Sequence, residues 1–157
     1  MGNKIYIGAD HAGYILKEKI KKWLVKKKIS VVDVGAHKLI PTDDYPDYAA
    51  KVAANVARDN SVGILICGSA QGMCIAANKV HGVRAVVPFS PKEAQLSREH
   101  NDANVICLSG WYFNLQKAAK IVEKFLSTPF SQEKRHLRRI NKIKKLELQS
   151  PCLLACL

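Results

Sequence analysis

The sequence predicts an α/β protein: a doubly wound, five-stranded parallel sheet followed by a C-terminal helix. Two observations carry this. Short apolar runs bounded by turn residues alternate with longer segments of helical period. The runs are largely Val, Ile and Leu, as strands covered on both faces require.

The expected strands are Lys4 to Gly8, Ser30 to Val34, Val62 to Cys67, Val83 to Val87 and Asn104 to Leu108. Between the first two, Ile15, Leu16, Ile20, Trp23 and Leu24 form an apolar stripe on a lysine-rich helix and are expected to pack inward. The next helix starts near Asp44, with Pro46 soon after, and runs to Ala57; an acidic cap and an early proline mark helix starts. A short small-residue helix covers Cys74 to Asn78. Ser90-Pro91 opens another from Lys92 to Glu99, and a further one spans Leu115 to Leu126. Pro129 then breaks the chain before a basic helix from Ser131 to Leu148. No linker or repeat intervenes, so residues 1–148 are read as one domain and 149–157 as a tail.

At 157 residues the chain is long enough for one core without staples. Five cysteines, at 67, 74, 107, 152 and 156, include no C-x-x-C pair, and their odd number argues against a disulfide framework. The N-terminus lacks the apolar stretch of a signal peptide, and no run reaches the length of a membrane span, so a soluble cytoplasmic protein is expected. The formal charge of +12 is large. Much of it lies in Lys17 to Lys28 and in Lys134 to Lys145, read as solvated helical faces, the second also serving an anionic substrate. Nucleic acid is the less favoured alternative, open to a salt-dependence test.

In doubly wound sheets ligands bind beyond the carboxyl ends of strands, where the winding reverses. That rule singles out Asp10-His11, the segment Cys67-Gly68-Ser69-Ala70-Gln71-Gly72, and Ser109-Gly110-Trp111. His100-Asn101-Asp102 is a further candidate. The strand-to-turn-to-helix passage after Cys67 could turn backbone N–H groups toward an anion, or could be only a tight turn. It matches neither the P-loop nor the G-x-G-x-x-G pattern, which disfavours nucleotides. Cys67 could be a small buried hydrophobe, or a thiol whose pKa is lowered by the neighbouring helix end and N–H groups. Asp10 could cap a helix, and His11 could pack on it. The five histidines lack clustered ligand spacing, so no metal is expected.

Several ordered motifs occur together: Gly8-Ala-Asp-His-Ala-Gly13, Thr42-Asp-Asp-Tyr-Pro-Asp47, Ile64-Leu-Ile-Cys-Gly-Ser69, Ala76-Ala-Asn-Lys79 and Gln95 through Val105. Over residues 3 to 140 the chain resembles the ribose-5-phosphate isomerase B family, related to the galactose-6-phosphate isomerase subunits. The resemblance implies a Rossmann-like fold and a cofactor-free aldose–ketose isomerase acting on a small sugar phosphate. The expected reaction interconverts D-ribose 5-phosphate and D-ribulose 5-phosphate, with a hexose 6-phosphate as the alternative substrate.

By the same resemblance Cys67 is the base that moves the C2 proton, and Gly68, Ser69, Ala70, Gln71 and Gly72 form the anion hole for the enediolate. The family's other base, a glutamate in this loop, falls at Met73, which cannot take a proton. His100 corresponds to the ring-opening histidine and Asn101 to its enediolate-binding neighbour. Asp10 and His11 correspond to sugar and phosphate contacts, and Arg135 and Arg139 to phosphate-binding arginines; their i,i+4 spacing puts both on one helical face. Some members carry another arginine after the fifth strand, where this chain has Trp111, expected to cover a subunit interface. The resemblance also implies a homodimer with shared sites, with pairing into tetramers left open, and neither nucleic acid nor membrane as a partner.

Overall fold

The computed structural model describes residues 4–148; the expected tail at 149–157, with Cys152 and Cys156, lies outside the described residues. Five strands form one parallel sheet: β1 (Ile5–Ala9), β2 (Val31–Asp33), β3 (Val62–Cys67), β4 (Ala85–Val86) and β5 (Val105–Ser109), in the order β2-β1-β3-β5-β4. Six helices connect and follow them: α1 (Tyr14–Lys26), α2 (Tyr45–Asp59), α3 (Gln71–Ala77), α4 (Pro91–Asn101), α5 (Leu115–Ser127) and α6 (Lys134–Leu148). Among the described residues no helix is long and apolar enough to cross a membrane.

Side chains alternate across the pleat, so each strand feeds two cores. Ile5, Ile7, Ile64, Ile66, Ile106 and Leu108 meet Leu16, Ile20 and Leu24 of α1, Ala94 of α4, and Ile121 and Phe125 of α5. On the opposite face Tyr6, Leu65, Cys67, Val105 and Cys107 meet Val52 and Val56 of α2 and Met73 of α3. Each fully buried aliphatic side chain contributes roughly 1.5–3 kcal/mol relative to exposure. The helix after β1 and the helix after β3 therefore leave toward opposite faces. In sheets of this kind that divergence marks where a ligand crevice forms, here the carboxyl edge at Asp10 and Gly68.

Several boundaries differ from expectation for identifiable reasons. The fourth strand is two residues long because Pro88 ends its donors, while the Arg84 guanidinium turns back to the carbonyls of Asn101 and Asp102. The second strand is trimmed to Val31–Asp33. The short helix begins at Gln71 rather than Cys74, since Ala70 adopts a left-handed φ of 74° and starts the turn there. The last helix begins at Lys134: Gln132 has φ 59°, and Ser131 N–H donates to Glu99 O, docking the turn on α4.

Two side chains also depart from their expected faces. Ile15 is 63% exposed, lying off the stripe that Leu16, Ile20 and Leu24 bury. Lys17, expected on the solvated face, is wholly buried, with its ammonium donating to Asp33 Oδ2 at 2.8 Å and Ala36 O at 2.5 Å.

Candidate active site

Three carboxyl ends converge at the crevice. Asp10 follows β1, and its N–H donates to Ile66 O at 3.3 Å. Its buried carboxylate accepts the Gly13 N–H at 2.9 Å, closing the turn into α1. Gly13 lies so close to Ile66 that a Cβ would overlap the Ile66 carbonyl, which is why glycine stands there. Burial raises the Asp10 pKa, partly offset by the Gly13 N–H and the charge of His11.

His11 points into the opening with its side chain 41% exposed. Its Nδ1 lies 2.6 Å from Asp43 Oδ1, and its backbone N–H donates to the same oxygen at 3.1 Å. The hydrogen bond that the protonated ring donates to Asp43 raises the His11 pKa, with the Asp10 charge adding to it, so the ring holds a proton to higher pH than a free histidine. Asp43 joins the candidate site although spacing alone did not reveal it; it lies in one of the motifs, and only the folded loop carries it across to His11. Its Oδ2 is buried without a hydrogen-bond partner among the described residues. The charges of Asp43, Asp47 and Asp10, together with burial, raise the Tyr48 phenol, burial being the larger cause.

Cys67 ends β3 opposite Ser109 and is 4% exposed. Backbone N–H groups of Met73 and Ala70 point at its sulfur and favour the thiolate, but burial and the Asp10 charge outweigh them. Of the two alternatives the sequence left open, burial is the one seen here: the thiol is pushed up, because loss of solvation exceeds what two N–H groups return. The turn is tied down by its neighbour strand. Gly110 N–H donates to Cys67 O at 2.8 Å, Ser109 Oγ to Gly68 O at 2.6 Å, and Trp111 N–H to Gly68 O at 3.2 Å. Ser69 Oγ accepts the Gln71 N–H at 3.4 Å, and Ala70 is fully buried. As the first residues of α3, Gln71 and Gly72 have N–H groups with no carbonyl one turn back within the helix, and that of Gln71 is taken by Ser69 Oγ.

A second cluster forms elsewhere. His100 and Asn101 end α4, which descends from the carboxyl edge after β4 to the amino edge before β5. His100 packs on His136 of α6, ring centroids 4.4 Å apart. His136 is buried, with Nδ1 2.7 Å from Ser131 Oγ; Arg135 and Arg139, one residue before and three after it on α6, are exposed. Sequence reasoning passed over His136; its place between basic residues hid it. Arg135 also pairs with Glu133 at 2.7 Å. Five residues of parallel strand, about 3.3 Å each, put about 15 Å between the two edges. One chain thus brings Asp10, His11, Cys67 and Gly68–Gly72 together, and His100, Asn101, Arg135 and Arg139 together, but not the two sets with each other.

The sequence matches the family model described as ribose/galactose isomerase over residues 5–143. The chain belongs to the ribose/galactose isomerase family. Similar members of it are the ribose-5-phosphate isomerase B of Escherichia coli, 43% identical over 145 residues covering 92% of this chain and 96% of the relative, and that of Mycobacterium tuberculosis, 40% identical over 147 residues covering 93% and 91%. The crystal structure of ribose-5-phosphate isomerase B from Mycoplasma genitalium, with ribulose 5-phosphate bound, superposes with a TM-score of 0.91 at 43% identity, covering 96% of this chain and 99% of that one. The family fold, an all-parallel sheet flanked by helices, is the one the sequence predicts.

Proposed function

We propose that this chain, through its domain of residues 1–148, interconverts D-ribose 5-phosphate and D-ribulose 5-phosphate through an enediolate, with Cys67 as the base. The observation that carries the reading is the position of the Cys67 thiol: at the carboxyl end of β3, in contact with the Met73 and Ala70 N–H groups and close enough to Asp10 to feel its charge. The relatives' names and the ligand of the Mycoplasma genitalium enzyme support the substrate.

The chemistry follows from the residues. The imidazole of His100 opens the furanose ring, steadied by His136 against it. Asp10 holds the sugar. The Cys67 thiolate takes the proton from C2 and returns it to C1. A thiol with a raised pKa is scarce as thiolate near neutrality but a stronger base once ionised. Negative charge developing on the sugar oxygens meets the N–H groups of Gly68 to Gly72 and Asn101, so the charge is met by dipoles already in place. His11, whose cationic form Asp43 favours, and the forks of Arg135 and Arg139 hold the phosphate. The proton moves between adjacent carbons without net oxidation, so the reaction itself calls for no redox cofactor.

Because the two residue sets lie at opposite sheet edges, the reading requires a homodimer in which each site takes Cys67 from one protomer and the His100 set from the other. Sugar phosphates are ionic and do not cross lipid, so the proposed place of action is the cytoplasm. The test is turnover of ribose 5-phosphate with EDTA present. Wild type is expected to be active and Cys67→Ala inactive with its fold intact. Full activity of Cys67→Ala would remove the proposed base. Faster turnover of galactose or allose 6-phosphate would move the reading to the hexose branch of the family.

A further inference from the structure

We infer that Trp111 is a substrate-contacting residue, one of two aromatic walls that bracket the Gly68–Gly72 loop, with its indole packed on the carbon chain of the bound sugar phosphate. The inference rests on the isomerase reading above. Both ends of the loop are glycine because an aromatic ring occupies the space a side chain would need. A Cβ on Gly68 would stand 2.5 Å from Trp111 Cε2 and Cζ2, and one on Gly72 would stand 2.6 Å from Tyr45 Cζ. The two rings therefore lie at the two ends of the five-residue turn, Trp111 next to the reacting thiol. Each keeps much of its surface open, 67% for Trp111 and 41% for Tyr45.

Trp111 is also fixed relative to Cys67. Its N–H and the Ser109 hydroxyl share the Gly68 carbonyl, and Gly110 N–H holds the Cys67 carbonyl. Ser109 Oγ in turn accepts the Tyr112 N–H at 3.1 Å, and the Tyr112 ring meets the indole edge-on, centroids 6.5 Å apart at 85°. A Cβ on Gly110 would overlap the Ala12 carbonyl, so the turn is wedged between the ends of β1 and β3. A large apolar surface held this rigidly beside a charged, polar crevice matches the C–H face of a sugar. An indole has one N–H to donate but no charge to neutralise a phosphate dianion, so its large apolar face suits the sugar carbons while His11 faces phosphate.

Trp23 and Trp111 are the two tryptophans of the chain. In a Trp23→Phe background the emission of Trp111 is expected to change on titration with ribose 5-phosphate. Trp111→Ala is expected to raise KM about tenfold while kcat stays within about threefold, the pattern of lost uniform binding, and Trp111→Phe to recover most of the loss. Unchanged KM in Trp111→Ala, with an active wild type and no emission change, overturns the inference and leaves the isomerase reading standing. If Trp111→Ala instead splits the dimer on size-exclusion chromatography and its KM defect disappears at high enzyme concentration, the indole covers a subunit interface and the inference fails. An inactive wild type defeats the isomerase reading, and the inference with it.

Discussion

Asp43 grips His11 twice, with one carboxylate oxygen 2.6 Å from the ring Nδ1 and 3.1 Å from the backbone N–H of the same residue. The pair fixes where the imidazole points and favours its charged form. Because the folded pKa of His11 is raised, its cationic form persists above pH 6.5 and is lost only as pH rises through that raised value. Asp43→Asn keeps the shape and removes the charge. His11 should then titrate closer to the ordinary histidine value in NMR, and the Kd for inorganic phosphate at pH 7 should rise by about 3- to 10-fold. An unaltered His11 titration would show that Asp43 is not what holds the proton.

That relationship also marks where the sequence was legible. The sheet could be read because Ile64, Leu65 and Ile66 are apolar on both faces, and strands buried on both sides leave no other pattern. Asp10, His11 and Cys67 could be placed because residues following strands in such a sheet share one edge. Asp43 could not, since it reaches His11 across 32 residues of intervening chain. Nor could the state of Cys67: the N–H groups near it were foreseeable, whereas the depth of its burial is a property of the packed α2 and α3 face. Lys17 was misread for a similar reason, its partner Asp33 being 16 residues away on β2.

Burial is the larger cause of the raised Cys67 pKa, and the Asp10 charge is a smaller one acting in the same direction. Asp10→Asn should therefore lower the Cys67 pKa without returning it to the ordinary thiol range. Difference titration of thiolate absorbance against Cys67→Ala would report the shift. In wild type, kcat/KM should climb with pH on the alkaline side as the thiolate forms. A profile that is flat above pH 7 would mean the titrating base is another group.

Lys17 and Asp33 form a buried pair whose loss is expected to cost stability rather than chemistry. Lys17→Met leaves the Ala36 carbonyl without the Lys17 ammonium and Asp33 with Lys21 as its remaining lysine beside the Gly35 N–H, a change worth on the order of 3–5 kcal/mol. Burial pushes Asp33 up, but hydrogen bonds from Lys17 and Lys21 outweigh it and hold the pKa below the carboxylate norm. A depressed folded pKa contributes stability above the unfolded value of about 3.9 that is lost as pH falls through the folded one. Urea unfolding at pH 7 and pH 3 should find wild type losing more stability on acidification than the variant. Equal losses would mean the ion pair does not carry this acid sensitivity.

The separation of Cys67 from His100 across the sheet yields the sharpest test. If each site draws Cys67 from one protomer and His100 from the other, Cys67→Ala and His100→Ala homodimers are each inactive, since both of their sites carry a defect. Co-expressed, the two chains form heterodimers in which both defects fall in one site and the other is intact. Random pairing makes about half the dimers mixed, with one working site of two, so the mixture should recover about a quarter of wild-type activity. A double variant co-expressed with wild type gives the complementary case, in which every mixed dimer has one defect in each site and contributes nothing. Were each protomer to hold a complete site, the first mixture would stay inactive, and the double variant would merely dilute the wild type in proportion. Shared sites thus predict about a quarter of wild-type activity from either mixture, whereas a complete site in each protomer predicts none from the first and about half from the second.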